Sequence, residues 1–316
     1  MKKNRLLKIL IRGCVSIFFL YLVFRKIDFH LLYNTLKECY LPLAILSLLI
    51  TVILSFPLAL RWYILLKGQV KEDRIRYINI WKLNMIGMFF NNFLPTGAGG
   101  DIAKVFYLVR GEENKLLLGS SVIIDRFIGA LTVITMGVVA GLLAEDVPVK
   151  VKYFLLFLIL FLLFVFIFFS YRAFASFFYS KVKKFIPKKL KEILENTYTA
   201  FNKYFSTRKY LFYGLIVSFF LQSISILNNY FMSLSILWNR SAAPSLSMFF
   251  IYIPLIWTAT LVPSLGGLGI REFTYVYFFS SSMGKENAFA LSIIFLLSII
   301  IQSVIGAVIL LFLKER

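Results

Sequence analysis

The feature that most constrains this chain is a succession of apolar segments, each long enough to cross a hydrocarbon core, for which about 20 residues suffice. They cover residues 6–24, 41–66, 116–144, 151–170, 210–237 and 287–313. In lipid every backbone N–H and C=O must find its partner inside the protein, so segments of this kind are helices. Residues 77–93 and 102–109 are also apolar, as are 245–262 and 270–281, but each pair is joined by a glycine-rich break. The second arm of each pair reaches only about 12–18 Å, well short of a core of about 30 Å. Both pairs are therefore expected to be re-entrant hairpins. The expected fold is an all-α polytopic membrane protein with about six full spans and two hairpins.

The two breaks share a construction. Residues 91–104 read NNFLPTGAGGDIAK, and residues 261–272 read LVPSLGGLGIRE. With Pro95 set against Pro263, Thr96, Ala98, Gly99, Asp101 and Ile102 align with Ser264, Gly266, Gly267, Gly269 and Ile270, with Asp101 facing Gly269. The offset of 168 residues carries positions 42 and 117, one residue into the second and third segments, to 210 and 285, within two residues of the starts of the fifth and sixth. Repeat one covers about 41–144 with its hairpin at 77–109, and repeat two about 210–313 with its hairpin at 245–281. Lys and Arg decide the orientation. With the N-terminus in the cytoplasm, the inside connections hold 22 of them and the outside connections 7, as the positive-inside rule requires. Both termini are then cytoplasmic, and the two hairpins enter from opposite sides. Inverted repeats that meet at broken helices are a transporter architecture, with the substrate near the midplane.

Composition narrows the classes. The chain has 316 residues, 60% of them hydrophobic, against about 45–50% in soluble domains. Its net charge of +20 would suggest nucleic acid in a soluble protein, but here the basic residues lie between apolar segments, so no nucleic-acid partner is expected. Cys14 and Cys39 have no metal-type spacing and His30 is the sole histidine, so neither a metal site nor a bound cofactor is expected. Arg25 and Lys26 follow the first segment where a cleavage site would need small residues, so this segment is read as a retained span. The basic stretch 171–209 is read as a cytoplasmic loop that sets topology, or as a surface helix that holds anionic headgroups.

Residues that could carry chemistry cluster at the breaks. Gly99, Gly100, Gly266, Gly267 and Gly269 give the backbone freedom and leave N–H groups accessible. The helices that restart at Ile102 and Ile270 would aim their positive ends at a phosphate, with Thr96 and Ser264 beside them. Asn91 and Asn92 either hydrogen-bond a headgroup or cap unwound backbone. Charged residues inside apolar segments are functional candidates by default: Arg61, Asp101, Lys104, Asp125, Arg126, Arg271 and Glu272. The alternative for each acid–base neighbour is a mutually neutralising pair, and Asp101 and Asp125 are expected to be such partners. Arg126 and Arg271 are the expected phosphate binders; Arg61 either joins them or snorkels to the interface.

Arg61-Trp62, the NNFLPTGAGGD stretch, Asp125-Arg126-Phe127-Ile128-Gly129 and PSLGGLGIRE resemble, in order, the motifs of the flippase-like transmembrane domain family. This is the membrane part of lysylphosphatidylglycerol synthases, and the resemblance spans nearly the whole chain. It implies a protein of the cytoplasmic membrane that moves a lipid headgroup between leaflets. The lipid would be a phospholipid, an aminoacyl-lipid or a polyprenyl-phosphate-linked carrier, and a lipid-synthesising enzyme would be a partner. With the chain ending at Arg316, a stand-alone member without the soluble aminoacyl-transferase domain is expected, and not an enzyme. Lys104 stands where the family often has arginine, so bidentate phosphate contact is not expected there. No GKS or GKT accompanies the glycines, so transport would run downhill or couple to protons or another ion, with Asp101, Asp125 and Glu272 as candidate carriers. Two other readings stand beside this one. One is an intramembrane enzyme acting on a lipid or peptide, since Ala98-Gly99-Gly100-Asp101 comes close to a Gly-x-Gly-Asp motif. The other is a membrane assembly partner that transports nothing.

Overall fold

The computed structural model describes residues 2–69, 75–93, 99–109, 115–144, 148–170, 198–199, 202–204, 206–238, 244–262 and 264–313. Pro95, Thr96, Gly97 and Ala98 of the first break, Pro263 of the second and most of the basic stretch 171–209 lie outside the described residues. Among those described the chain is all helical. The helices are α1 (Lys2–Phe24), α2 (Phe29–Lys37), α3 (Leu41–Ile53), α4 (Ser55–Lys67), α5 (Tyr77–Phe93), α6 (Gly99–Leu108), α7 (Lys115–Leu143) and α8 (Val149–Ser170). They continue with α9 (Arg208–Ile236), α10 (Leu246–Ala259), α11 (Ile270–Met283) and α12 (Lys285–Leu311).

Among the described residues five stretches are long and apolar enough to cross a membrane: Leu41–Lys67, Leu117–Leu143, Val149–Phe168, Arg208–Ile236 and Lys285–Leu311. With the further apolar helices they make this a multi-pass membrane protein. The first expected span differs. Its helix is α1, of which Leu10–Phe24 is apolar. The second expected span is two helices that meet at Leu54. Pro57 has no N–H to give the Ile53 carbonyl and its ring crowds that group, so α3 ends at Ile53. The arms of both expected hairpins are helices, but α6 begins at Gly99 and not at the expected Ile102, so Gly99, Gly100 and Asp101 belong to its first turn. The starts of α3, α5, α6 and α7 recur at those of α9, α10, α11 and α12, 167 to 171 residues later.

The chain forms two compact units. One comprises Met1–Phe56, Lys82–Lys104 and Ser223–Arg316. Its core is built on α10 and α11, where Phe249, Ile253, Ile256, Tyr275 and Phe279 are wholly buried. Phe249 and Phe279 meet at 4.6 Å between ring centroids, and Tyr252 stacks on Phe278 at 4.9 Å. A helix buried on nearly every side must be apolar on every side, and α10 is. Helices α1, α10 and α12 pack on α11, while α2 and α3 pack on α12. Two glycines permit contact of backbone with backbone. Gly100 sits against the Gly87 carbonyl, joining α6 to α5, and Gly306 sits against the Met85 carbonyl, joining α12 to α5.

The other unit comprises Pro57–Trp81 and Val105–Gln222. Here α7 packs on α8, but 56% of the α7 span is buried against 6% of the α8 span, so α8 faces lipid. Leu65, Leu117, Ile124, Ile128 and Tyr204 make the core, with Leu211 and Leu215 against it. Trp62 is buried and its indole N–H donates to the Ser121 hydroxyl at 2.8 Å. The Tyr204 hydroxyl donates to the Leu117 carbonyl at 3.1 Å, and burial pushes its ionisation above the usual tyrosine range.

Substituting Gly100→Ala places a methyl where the Gly87 carbonyl already lies, an overpacking worth about 1–3 kcal/mol. A lowered thermal midpoint in detergent is expected. Gly13→Ala, whose added methyl would have nothing within 4 Å, should leave the midpoint unchanged.

Candidate functional site

The second glycine break lies in the interior of the first unit, and its shape follows from three residues that only glycine suits. Gly266, Gly267 and Gly269 have φ of +57°, +80° and +84°, a region that L side chains rarely adopt. The chain turns through them: Leu268 N–H donates to the Leu265 carbonyl and Arg271 N–H to that of Gly267. The helix then restarts at Ile270. Ser264, at the entrance to the turn, is 2% exposed and its hydroxyl has no hydrogen-bond partner. A buried hydroxyl left unpaired costs about 1–3 kcal/mol, so this atom calls for a partner that the protein does not supply.

The start of α11 is occupied from within. The Glu272 carboxylate accepts the Gly269 N–H at 2.6 Å through Oε2, and the Arg271 Nε and Nη2 groups at 3.0 and 2.6 Å through Oε1. Both side chains are buried. The positive end of this helix, expected to face a phosphate, is thus covered by the chain's own carboxylate. Arg271, expected to bind a ligand, is engaged by its neighbour and also lies 5.9 Å from the Phe295 ring centre. The neutralising-pair reading describes these two residues.

The first break shows its flanks. Gly99 and Gly100 are buried, and the Gly100 N–H donates to the Asn91 side chain at 2.9 Å. Of the two roles open for Asn91, it performs the cap. Asn92 donates instead to the Ser303 hydroxyl on α12. Asp101 lies in the first turn of α6, where a carboxylate suits the helix dipole. The Lys104 stem occupies the space that a side chain at Gly87 would need. Thr96 falls outside the described residues. The two breaks meet inside this unit: a Cβ on Gly266 would stand 3.1 Å from the Asn92 carbonyl oxygen.

In the second unit Asp125 does not pair with Arg126. It pairs with Arg61, 64 residues earlier, through Nε to Oδ1 at 2.7 Å and Nη2 to Oδ2 at 3.0 Å. Nη1 of Arg61 donates to the Ser218 hydroxyl at 3.1 Å. Arg61 is 4% exposed, so it neither snorkels nor presents a donor face to a ligand. The i to i+1 neighbours Asp125 and Arg126 point about 100° apart on a helix, which is why Arg126 is exposed while Asp125 is buried.

Several polar side chains that the charges drew attention away from also belong to the interior of the first unit. Asn228 donates to the Ser47 carbonyl and to the Thr51 hydroxyl at 3.0 and 2.9 Å. Gln302 donates to the Thr51 carbonyl at 2.7 Å, and the Tyr275 hydroxyl donates to Asn229 at 2.6 Å. Paired carboxamides inside an apolar segment, as in Asn228-Asn229, were the available signal.

These features define a multi-pass helical membrane protein with buried ion pairs and a glycine-built interior turn. The family described as the lysylphosphatidylglycerol synthase TM region matches residues 9–306, and the chain belongs to it. That membership ties the protein to the modification or translocation of membrane lipids. No curated protein matches the chain, and no solved structure matches it.

Removing one partner of a buried ion pair strands the other, at about 3–5 kcal/mol, whereas replacing both by apolar residues is nearly neutral. Arg61→Met alone is therefore expected to lower the thermal midpoint sharply, and Arg61→Met with Asp125→Leu to restore most of it.

Proposed function

We propose that the protein is a lipid translocase that carries a phosphate-bearing headgroup past the second glycine break. The observation that carries this reading is the unpartnered hydroxyl of Ser264, buried beside a glycine turn that touches the flank of the first break. A hydroxyl donor beside a glycine turn is a component of an anion cradle. Family membership supports a lipid as the cargo. In this reading α5–α6 and α10–α11 are re-entrant hairpins of opposite entry, the recurrence of helix starts reflects an inverted repeat, and both termini face the cytoplasm. Rocking of the repeats then alternates access.

Arg126, exposed on α7 of the second unit, is the arginine suited to bidentate contact with an anionic headgroup. Arg271 and Glu272 shape the turn and do not bind the headgroup directly. Asp125 and Glu272 each serve as counter-ion to a buried arginine. The enzyme reading would need a second carboxylate beside Asp101. Asp125, the expected partner, is instead committed to Arg61.

The test is headgroup translocation in proteoliposomes, with labelled phosphatidylglycerol, its lysyl ester, phosphatidylethanolamine and a polyprenyl phosphate, with and without a pH gradient. Wild type should move one class. Ser264→Ala should slow it about ten-fold or more, the loss of one hydrogen bond to a charged group, while the thermal midpoint stays level or rises as the unpaired hydroxyl is removed. Arg126→Gln should weaken transport of anionic headgroups more than zwitterionic ones. A wild-type protein that moves none of them under either condition overturns the reading.

A further inference from the structure

We propose that α1 is a clasp on the second glycine break, with Ser16 as the positioning residue, and that the break moves only when α1 lets go. The inference rests on the translocase reading for its functional consequence, but its physical content stands on contacts within one unit.

Ser16 lies in the apolar part of α1 and is 3% exposed. Its hydroxyl accepts the Leu265 N–H at 2.9 Å, at the start of the turn. Its backbone carbonyl lies against Gly269, at the end of the turn, so closely that a side chain there would overlap it. One residue of α1 therefore holds the turn at both ends. Three positions on, the Phe19 Cβ lies 3.2 Å from where a Cβ on Gly269 would stand, and its ring meets that of Phe273 edge-on at 5.2 Å. One turn of α1 thus covers Leu265–Gly269 and the first turn of α11.

The first break is held differently. Gly100 packs on the Gly87 carbonyl of its own hairpin, and Asn91 of the same hairpin caps it. Helix α1 lies outside both stretches that recur at the 167–171 residue offset. Among the described residues the flank of the first break is also tied to α12, through Asn92 and Ser303, but the α1 contacts are made to the second break. Leaving the state in which α1 grips that break requires parting the Ser16 contacts.

Two measurements separate the clasp from the translocase reading. In the first, hydrogen exchange is followed in Ser16→Ala in detergent. Losing one hydrogen bond should speed exchange of residues 265–273 about five-fold while residues 99–108 stay at the wild-type rate. Unchanged exchange at 265–273 overturns the clasp. In the second, Cys14 and Cys39 are replaced by alanine and Ser16→Cys is combined with Leu265→Cys. Oxidation should bond the pair and abolish lipid translocation, and dithiothreitol should restore it in the same vesicles. A fully oxidised protein that transports at the reduced rate overturns the clasp. Faster exchange in Ser16→Ala, together with a reduced protein that moves no lipid, would overturn the translocase reading and keep the clasp as a structural contact.

Discussion

A hydrocarbon core offers backbone no hydrogen-bond partner, and the interior of this protein depends on how it meets that condition where helices stop. Each helix end leaves several N–H or C=O groups unpaired, and the two breaks place such ends in the interior. Each receives partners from side chains that come no further than the break requires. Asn91 reaches nine residues ahead to Gly100, Glu272 reaches back to Gly269, and Ser16 comes from another helix to Leu265. Glycine makes this possible by letting chain approach chain, at Gly100 on Gly87, Gly306 on Met85 and Gly269 on Ser16. The same motif therefore serves two purposes. Gly100 closes the first hairpin on itself, and Gly269 admits α1 to the second.

The buried charges obey a related rule. Both arginines in the interior are held by a carboxylate, and in neither case does a charge stand alone. Uncharged polar groups carry the rest of the interior, with carboxamides of α9 and α12 tied to carbonyls and hydroxyls of α3. Among the described residues the Ser264 hydroxyl, like the Asn84 amide nitrogen and the Asn228 amide oxygen, has no partner, and its place beside the glycine turn gives it its weight in the functional reading.

The helix boundaries were legible because local chemistry sets them. Pro57 and the turn at 266–269 act on the chain within a few residues, so α3 ends before the one and α11 starts at Ile270 after the other, whereas α6 starts three residues ahead of the expected Ile102 because Gly99 and Gly100 join the helix under the Asn91 cap. Pairing was not legible. Arg61 and Asp125 are 64 residues apart, and adjacent opposite charges at 125 and 126 offered a false partner that helix geometry then separates. Arg271 and Glu272 are also adjacent and do pair. The difference is that Glu272 stands at the third position of a helix, where its carboxylate can turn back toward the N-terminus and meet both the cap and the guanidinium. Ser16 escaped notice because a lone serine in an apolar helix ordinarily bonds its own preceding turn. Nothing near it in sequence says that the partner is Leu265.

The Arg61–Asp125 pair also has a consequence for how the protein is made. Entering the bilayer singly, each charge would cost about 2.5–3.5 kcal/mol at the centre of a span. Helix α4 is synthesised before α7, so for the time it takes to make the intervening residues Arg61 has no counter-ion. The pair therefore favours a route in which α4 stays at the insertion machinery, in a wet environment, until α7 arrives and the two leave together. A contact that looks static in the finished protein would then set the order of its assembly.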